Sequence, residues 1–240
     1  MDIRNIVVLT GAGISAESGL ATFRASDGLW CQHRIEDVAT PEAFERNPQL
    51  VQNFYNMRRA QLKDVEPNAA HLALAELAQR WHGDFLLVTQ NVDDLHDRSI
   101  EGKQLSPGFE LLHMHGELKK VRCGETQKIY DWTEDIEEET KCACCLETDT
   151  LRPHIVWFGE MPFGMERISR ALRKCDLFIS IGTSGNVYPA AGFVQEVKML
   201  GQGRTVELNL EPSTGFSLFD ETIYGPATKV VPEYIGQKLG

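Results

Sequence analysis

Apolar residues along this chain fall into short runs that end on glycine or polar residues, and these runs alternate with stretches of a different period. NIVVLT (5–10), DFLLVTQ (84–90), CDLFISIGTS (175–184) and RTVELNLEP (204–212) are rich in apolar, β-prone residues, the pattern of strands buried on both faces. NAAHLALAELAQRW (68–81) instead carries apolar positions at helical spacing, with Asn68 after Pro67 placed to cap it. KVVPEYIGQKL (229–239) reads as a short strand followed by a helix. Strands alternating with helices predict an α/β fold on a doubly wound parallel sheet, with ligands at the strand ends. Two regions break the alternation. Residues 31–67 look helical, punctuated by Pro41 and Pro48, and residues 117–151 are polar, acidic and cysteine-bearing. The expected organisation is a single domain, 1–240. Within it, 1–30, 68–116 and 152–240 make the sheet-bearing lobe, and 31–67 with 117–151 make a small one.

The first run turns into GAGISAESG. Gly11, Gly13 and Ala16 fit G-x-G-x-x-G/A, in which glycine lets the backbone approach a pyrophosphate at the start of a helix. The same glycines also suit a tight packing turn. The acidic residue expected about 20 positions on, at the end of a second strand, is not evident. Glu36 and Asp37 follow no predicted strand, and Glu211, which ends VELNLE, is the better candidate for ribose hydroxyls. This is not the layout of a standard dehydrogenase.

Composition narrows the reading further. A 42% hydrophobic fraction over 240 residues is enough for a real core. A net charge of -11 argues against binding nucleic acid and suits lysine-bearing partners. No apolar run is long enough to span a bilayer, and the N-terminal run passes into GAGIS with no cleavage-site pattern. Cysteines stand at 31, 123, 142, 144, 145 and 175. Their clustering, without a secretion signal, points to metal binding more than to disulfides, and to the cytoplasm.

Six motifs in order, GAGISAESGLATFR, TQNVDDLH, HMHGEL, VWFGE, GTSGNVYPA and LNLEP, resemble those of the sirtuins, NAD-dependent protein deacylases. The likeness runs from about residue 5 to residue 235 and is strongest to bacterial class III sirtuins of the CobB type. It implies a Rossmann-like doubly wound parallel sheet with a small helical, zinc-ribbon-like lobe. It also implies a reaction with NAD as co-substrate. The acyl-lysine carbonyl oxygen attacks the sugar carbon as nicotinamide leaves, giving an alkylamidate. A histidine then takes a proton from a ribose hydroxyl, and the acyl group passes to ADP-ribose. The products are free lysine, nicotinamide and O-acyl-ADP-ribose.

By this resemblance His115, in HGE, is the general base, a task that suits a group titrating near neutrality. His113 stands two residues away, and most histidines in proteins are not catalytic. Gln90 and Asn91 would order the nicotinamide ribose and its water, with Val92 beside them and Asp93 on the nicotinamide carboxamide. Such residues also cap helices, a role Asp94 can fill. Gly11, Ala12, Gly13, Ser15, Arg24 and Trp30 match the cofactor segment, and Phe23 would shield the sugar or pack in the core. Gly182, Thr183 and Ser184, then Asn209, Leu210 and Glu211, match later cofactor segments, and Ala227 a backbone contact to adenine. Val156 and Phe158 would meet an acylated-lysine segment that adds as a strand, Val156 through its backbone and Phe158 along the lysine tunnel.

Tyr55 and Arg58, in YNMR, match the class III pair that holds a carboxylate at the end of a succinyl or malonyl group. Ala39 matches the small residue that leaves room for it, and Thr22 in ATFR agrees with class III. On residue pattern alone the pair is solvated helix surface. Sirtuins hold structural zinc with two C-x-x-C pairs. Here Cys142 and Cys145 keep one pair, and Cys123 is followed by Thr126 where a second thiol belongs. Cys144 or water completes the shell, or the loop is metal-free. Cys31 and Cys175 match no ligand position. HDRSIEGKQLSPGFELLHMHG is longer than the corresponding family link. The expected function is NAD-dependent desuccinylation, demalonylation and deacetylation of proteins. The alternatives are mono-ADP-ribosyl transfer to protein, or a non-catalytic NAD sensor.

Overall fold

NIVVLT forms strand β1 (Asn5–Thr10), and every residue after Asn5 is buried. A strand apolar on both faces needs cover on both. The computed structural model describes residues 3–22, 29–30 (backbone alone), 33–201 and 203–239. After β1 come β2 (Leu29–Trp30) and β3 (His33–Arg34), then α1 (Ile35–Val38), α2 (Pro41–Arg46), α3 (Pro48–Gln61) and α4 (Ala69–Arg80). Next are β4 (Asp84–Thr89), α5 (Leu95–Ile100), β5 (Phe109–His113), β6 (Gly116–Cys123), β7 (Ile129–Asp131) and β8 (Leu151–Ile155). The chain closes through α6 (Met165–Leu172), β9 (Leu177–Ile181), α7 (Phe193–Leu200), β10 (Arg204–Asn209), β11 (Glu221–Tyr224) and α8 (Ala227–Leu239).

Six strands lie in the order β11-β10-β9-β1-β4-β5, all parallel. The chain builds outward from β1 through β4 and β5, then returns to the other side of β1 with β9, so the order reverses between β1 and β9. That reversal opens a crevice at the carboxyl ends of the strands. Alternate residues point to opposite faces. Ile6 and Val8 pack with Leu74 and Leu77 of α4 and Val231 and Ile235 of α8. Val7 and Leu9 pack with Ile168 and Leu172 of α6 and Val194 and Val197 of α7.

α4 begins where expected. The Asn68 side chain accepts from the Ala70 amide at 2.9 Å, and the Asn68 amide donates to His71 Nδ1 at 3.2 Å. α2 and α3 each start on a proline, with Thr40 accepting from Ala43 N and Asn47 from Leu50 N. α1–α3 pack against the antiparallel sheet β7-β6-β8 through a shared apolar cluster that includes Leu118 and Ile155. Buried Arg59 ties the two together, donating to the carbonyls of Leu118 (2.8 Å) and Glu134 (3.2 Å).

The closing segment corrects one expectation. KVVPEYIGQKL contributes no strand and lies wholly within α8. Val230, Val231, Tyr234 and Ile235 are buried there at helical spacing. Pro232 removes one helical donor, and the burial of that face outweighs the loss. The last strand is ETIY of β11, a four-residue edge strand of mixed burial.

Candidate active site

The chain leaves β1 and turns across the end of β9. Gly11 N donates to Ile181 O at 2.9 Å and Gly13 N to Gly182 O at 2.8 Å. A Cβ on Gly13 would stand 2.7 Å from Gly182 Cα, and Gly182 itself holds φ +62°. Two backbones meet here with no space for side chains, so this turn requires glycine.

Ser15, just beyond, is buried and is the hub of a polar network. Asn91 Nδ2 donates to its Oγ at 3.1 Å, its hydroxyl donates to Asp93 Oδ2 at 3.0 Å, and His71 Nε2 lies 3.4 Å away. His71 Nδ1 accepts the Asn68 amide, so the ring proton sits on Nε2, facing Ser15. Burial lowers the His71 pKa to about 4 and keeps the ring neutral. Burial also raises the Asp93 carboxyl, opposed by the Leu95 amide and the Ser15 hydroxyl. Asp93, not Asp94, caps the start of α5, accepting from Leu95 N at 3.1 Å. Asp94 pairs instead with Lys119 and Arg98.

His115 sits between β5 and β6, and its Nδ1 lies 3.1 Å from the Gln90 carbonyl oxygen. A carbonyl only accepts, so Nδ1 carries the hydrogen and Nε2 presents its lone pair. Burial lowers the His115 pKa, with the Gln90 carbonyl working the other way. His113 is the opposite case. Burial disfavours its charge, but Asp97, 3.0 Å away, and then Glu117 hold it above its ordinary value. The two histidines are thus shifted in opposite directions, His115 towards the neutral form and His113 towards the charged one.

Three backbone hydrogen bonds close the assembly: Val156 N to His115 O (2.9 Å), Leu118 N to Val92 O (2.8 Å) and Phe158 N to Ala39 O (3.0 Å). They join residues 90–93, His115, and residues 156–158 to the segment holding Ala39. The Val156 amide is therefore committed to His115. Phe158 is 43% exposed, and its amide is fixed to the Ala39 carbonyl.

At the far end of the crevice Asn209 Nδ2 donates to Thr183 O at 2.9 Å, tying the end of β10 to the Gly182–Ser184 turn. Leu210 and Glu211 follow, exposed, and Ala227 opens α8. Glu17 accepts from Thr228 N (2.9 Å) and Oγ1 (2.8 Å), pinning the start of α8 to the first turn. The sequence reading missed Glu17 and His71. His71 carried a faint signal, since it stands at the third helical position, where a capping box places its reciprocal acceptor. Phe23 and Arg24 lie outside the described residues, as do Cys31 and the side chain of Trp30.

Tyr55 and Arg58 of α3 are not solvated surface, being 0% and 6% exposed. The Trp157 indole nitrogen donates to the Tyr55 hydroxyl at 3.0 Å. Burial, chiefly, pushes the phenol's pKa up, and the nearby charges of Arg152 and Arg58 act against it. Ala39 is buried in the same apolar cluster, with Val51, Phe54 and Trp157.

In the small lobe the sulfurs of Cys123, Cys142, Cys144 and Cys145 all lie within 4.8 Å of one another. Cys123 and Cys145 are 3.8 Å apart and Cys142 and Cys144 3.2 Å. A zinc–sulfur distance of about 2.3 Å gives tetrahedral edges of about 3.8 Å. The set is compatible with one zinc ion, with Cys144 joining the three expected thiols. The Thr126 amide donates to Cys123 Sγ at 3.4 Å, and its hydroxyl lies 2.9 Å from Cys144 Sγ. Hydrogen bonding from Thr126 is the main cause drawing the Cys123 thiol down to about 6, a value that favours a thiolate ligand.

The family model described as Sir2 family matches residues 11–189. A relative from Pasteurella multocida, an NAD-dependent protein deacylase, is 62% identical over 236 residues, covering 98% of this chain and 97% of that protein. A crystal structure of a Sir2 homolog–NAD complex superposes with a TM-score of 0.86 at 36% identity, covering 100% of this chain and 92% of the other. A Sir2–p53 peptide–NAD+ structure gives 0.81 at 26% identity, covering 99% of this chain and 94% of the other. Among the described residues no helix is long and apolar enough to cross a membrane.

Proposed function

The chain belongs to the Sir2 family, and on that premise we propose that it is an NAD-dependent protein-lysine deacylase whose acyl pocket takes groups ending in a carboxylate as well as acetyl. The observation that carries the deacylase reading is the position of His115. Its ring is held by the Gln90 carbonyl of the cofactor loop, and its own carbonyl holds Val156 of the substrate segment. These two contacts support the reading that His115 works where a dinucleotide and a peptide would meet. NAD brings an electrophilic sugar carbon and nicotinamide as leaving group. The residues of this chain do the rest. Ser15, Asn91 and Asp93 form a preorganised polar wall at the nicotinamide end. Phe158 and its neighbours exclude water from the sugar, and His115 Nε2 takes a ribose proton so that the acyl group can transfer. The substrates are acylated-lysine segments of proteins, in keeping with the peptide complex of a family member.

The finer reading rests on Tyr55 and Arg58. A guanidinium fork and a phenol, both buried on one helix face, suit a terminal carboxylate and have little to offer an acetyl methyl group. The test is a set of NAD-dependent assays on succinyl-, malonyl- and acetyl-lysine peptides, with products identified by mass. Arg58→Met is expected to impair desuccinylation far more than deacetylation. Equal losses on both substrates would remove the carboxylate pocket, and transfer of ADP-ribose to the peptide would replace deacylation altogether.

A further inference from the structure

Between the lysine segment and the acyl pocket stands one buried residue with no assigned role, Trp157. It is 2% exposed and held on every side. The Arg152 guanidinium lies 3.5 Å above its ring. Phe44 packs against it at 5.2 Å. Its amide donates to Glu160 Oε2 at 2.8 Å, and Arg152 grips Glu160 with two hydrogen bonds of 2.9 and 3.0 Å. The neighbouring Phe158 amide is fixed to the Ala39 carbonyl. From this clamp the indole N–H reaches Tyr55 at 3.0 Å.

The polarity of that bond is settled by chemistry. An indole nitrogen donates and does not accept, so the phenol oxygen of Tyr55 must be the acceptor. The phenol then cannot direct its own proton toward the indole. Arg58 lies on the same helix face three residues on, one turn from Tyr55.

We propose that Trp157 is a specificity-determining positioning residue. Through its N–H it sets the Tyr55 hydroxyl so that the phenol proton, alongside the Arg58 guanidinium, meets the terminal carboxylate of a succinyl- or malonyl-lysine. The proposal deepens the carboxylate-pocket reading and rests on it. Selectivity for acidic acyl groups would then be divided between the pair on α3 and a tryptophan in the substrate segment, one residue from the lysine tunnel.

The experiment compares wild type, Trp157→Phe, Tyr55→Phe, the double variant and Arg58→Met on succinyl- and acetyl-lysine peptides. Phenylalanine keeps the ring stack and removes only the donor. The expected result for Trp157→Phe is a fall of about fivefold in the succinyl-to-acetyl ratio of kcat/KM, carried by a higher KM for the succinyl peptide, as for a lost positioning hydrogen bond. In the Tyr55→Phe background the same change is expected to add nothing, because its only route to substrate is the phenol. An unchanged ratio in Trp157→Phe, with Arg58→Met still selective, overturns the proposal and leaves the pocket reading standing. Parallel losses on both substrates, or full additivity with Tyr55→Phe, mark Trp157 as packing only and overturn it too. Loss of selectivity in none of the variants, Arg58→Met included, sinks the pocket reading and this proposal together.

Discussion

Ser15 and Asp93 stand 78 positions apart in sequence and share a 3.0 Å hydrogen bond between buried side chains. The bond joins the turn after β1 to the loop after β4, at the carboxyl ends of two neighbouring strands. It also orders what lies around it, since Asn91 and His71 converge on the same hydroxyl. Removing that hydroxyl strips a donor from a buried carboxyl and an acceptor from two further groups. Ser15→Ala is expected to cost about 1.5–3 kcal/mol of transition-state binding, a ten- to hundredfold loss in kcat/KM for NAD. Asp93→Asn should cost a similar amount, and the double variant little more than either single one. Steady-state kinetics with NAD as the varied substrate checks this, and fully additive losses would show that the two residues act independently.

A base buried against a carbonyl should reveal itself in the pH profile. As the proposed base His115 works only when neutral, and burial lowers its pKa from the usual value. Activity is therefore expected to rise with pH through the folded pKa. The acid limb of kcat/KM is expected to have its midpoint below about 6.5. It should vanish from the residual activity of His115→Ala. A limb centred above neutrality would assign the titration to another group.

The strands that could be read from sequence are those whose burial leaves a continuous apolar signature, namely β1, β4, β9 and β10. β5 and β11 lie at the two edges, are only partly buried, and are five and four residues long, so the run that would announce them is absent. The same logic explains the closing segment, where paired valines suggested a strand but the burial of Tyr234 and Ile235 four residues further on completes a helical face. Ordered motifs named the residues proposed for the crevice. Their supports were hidden, because His71, Glu17 and Trp157 act through contacts 56, 211 and 102 residues away in the chain. No local pattern encodes a partner at that distance.

The cysteine cluster makes a prediction about stability as much as metal content. The apolar centre beneath it is small, built on Val121, Ile136 and Leu151 with Cys123 and Cys142. A cluster with so little core would gain much of its stability from a metal staple. Elemental analysis of the purified protein is expected to find one zinc per chain, and Cys142→Ser and Cys144→Ser each to lower that stoichiometry. Chelation should lower the thermal midpoint. Retention of full zinc by Cys144→Ser would exclude this thiol as the fourth ligand and leave the position to water.

Acid should loosen the fold through the histidines beneath the crevice. His71 is 0% exposed and its pKa is lowered to about 4. His96, its ring 4.9 Å away, is shifted in the same direction by burial. An unfolded chain binds a proton at each near pH 6.5 while the folded chain resists it, so the stability they provide is complete above pH 6.5 and drains away as pH falls towards 4. For His71 alone the difference amounts to about 3 kcal/mol. Denaturant unfolding between pH 7 and pH 4.5 is expected to show this loss in the wild type. His71→Gln, which cannot titrate, should be less stable at pH 7 but should lose less on acidification. Parallel stability curves for the two proteins would mean that the acid response arises elsewhere.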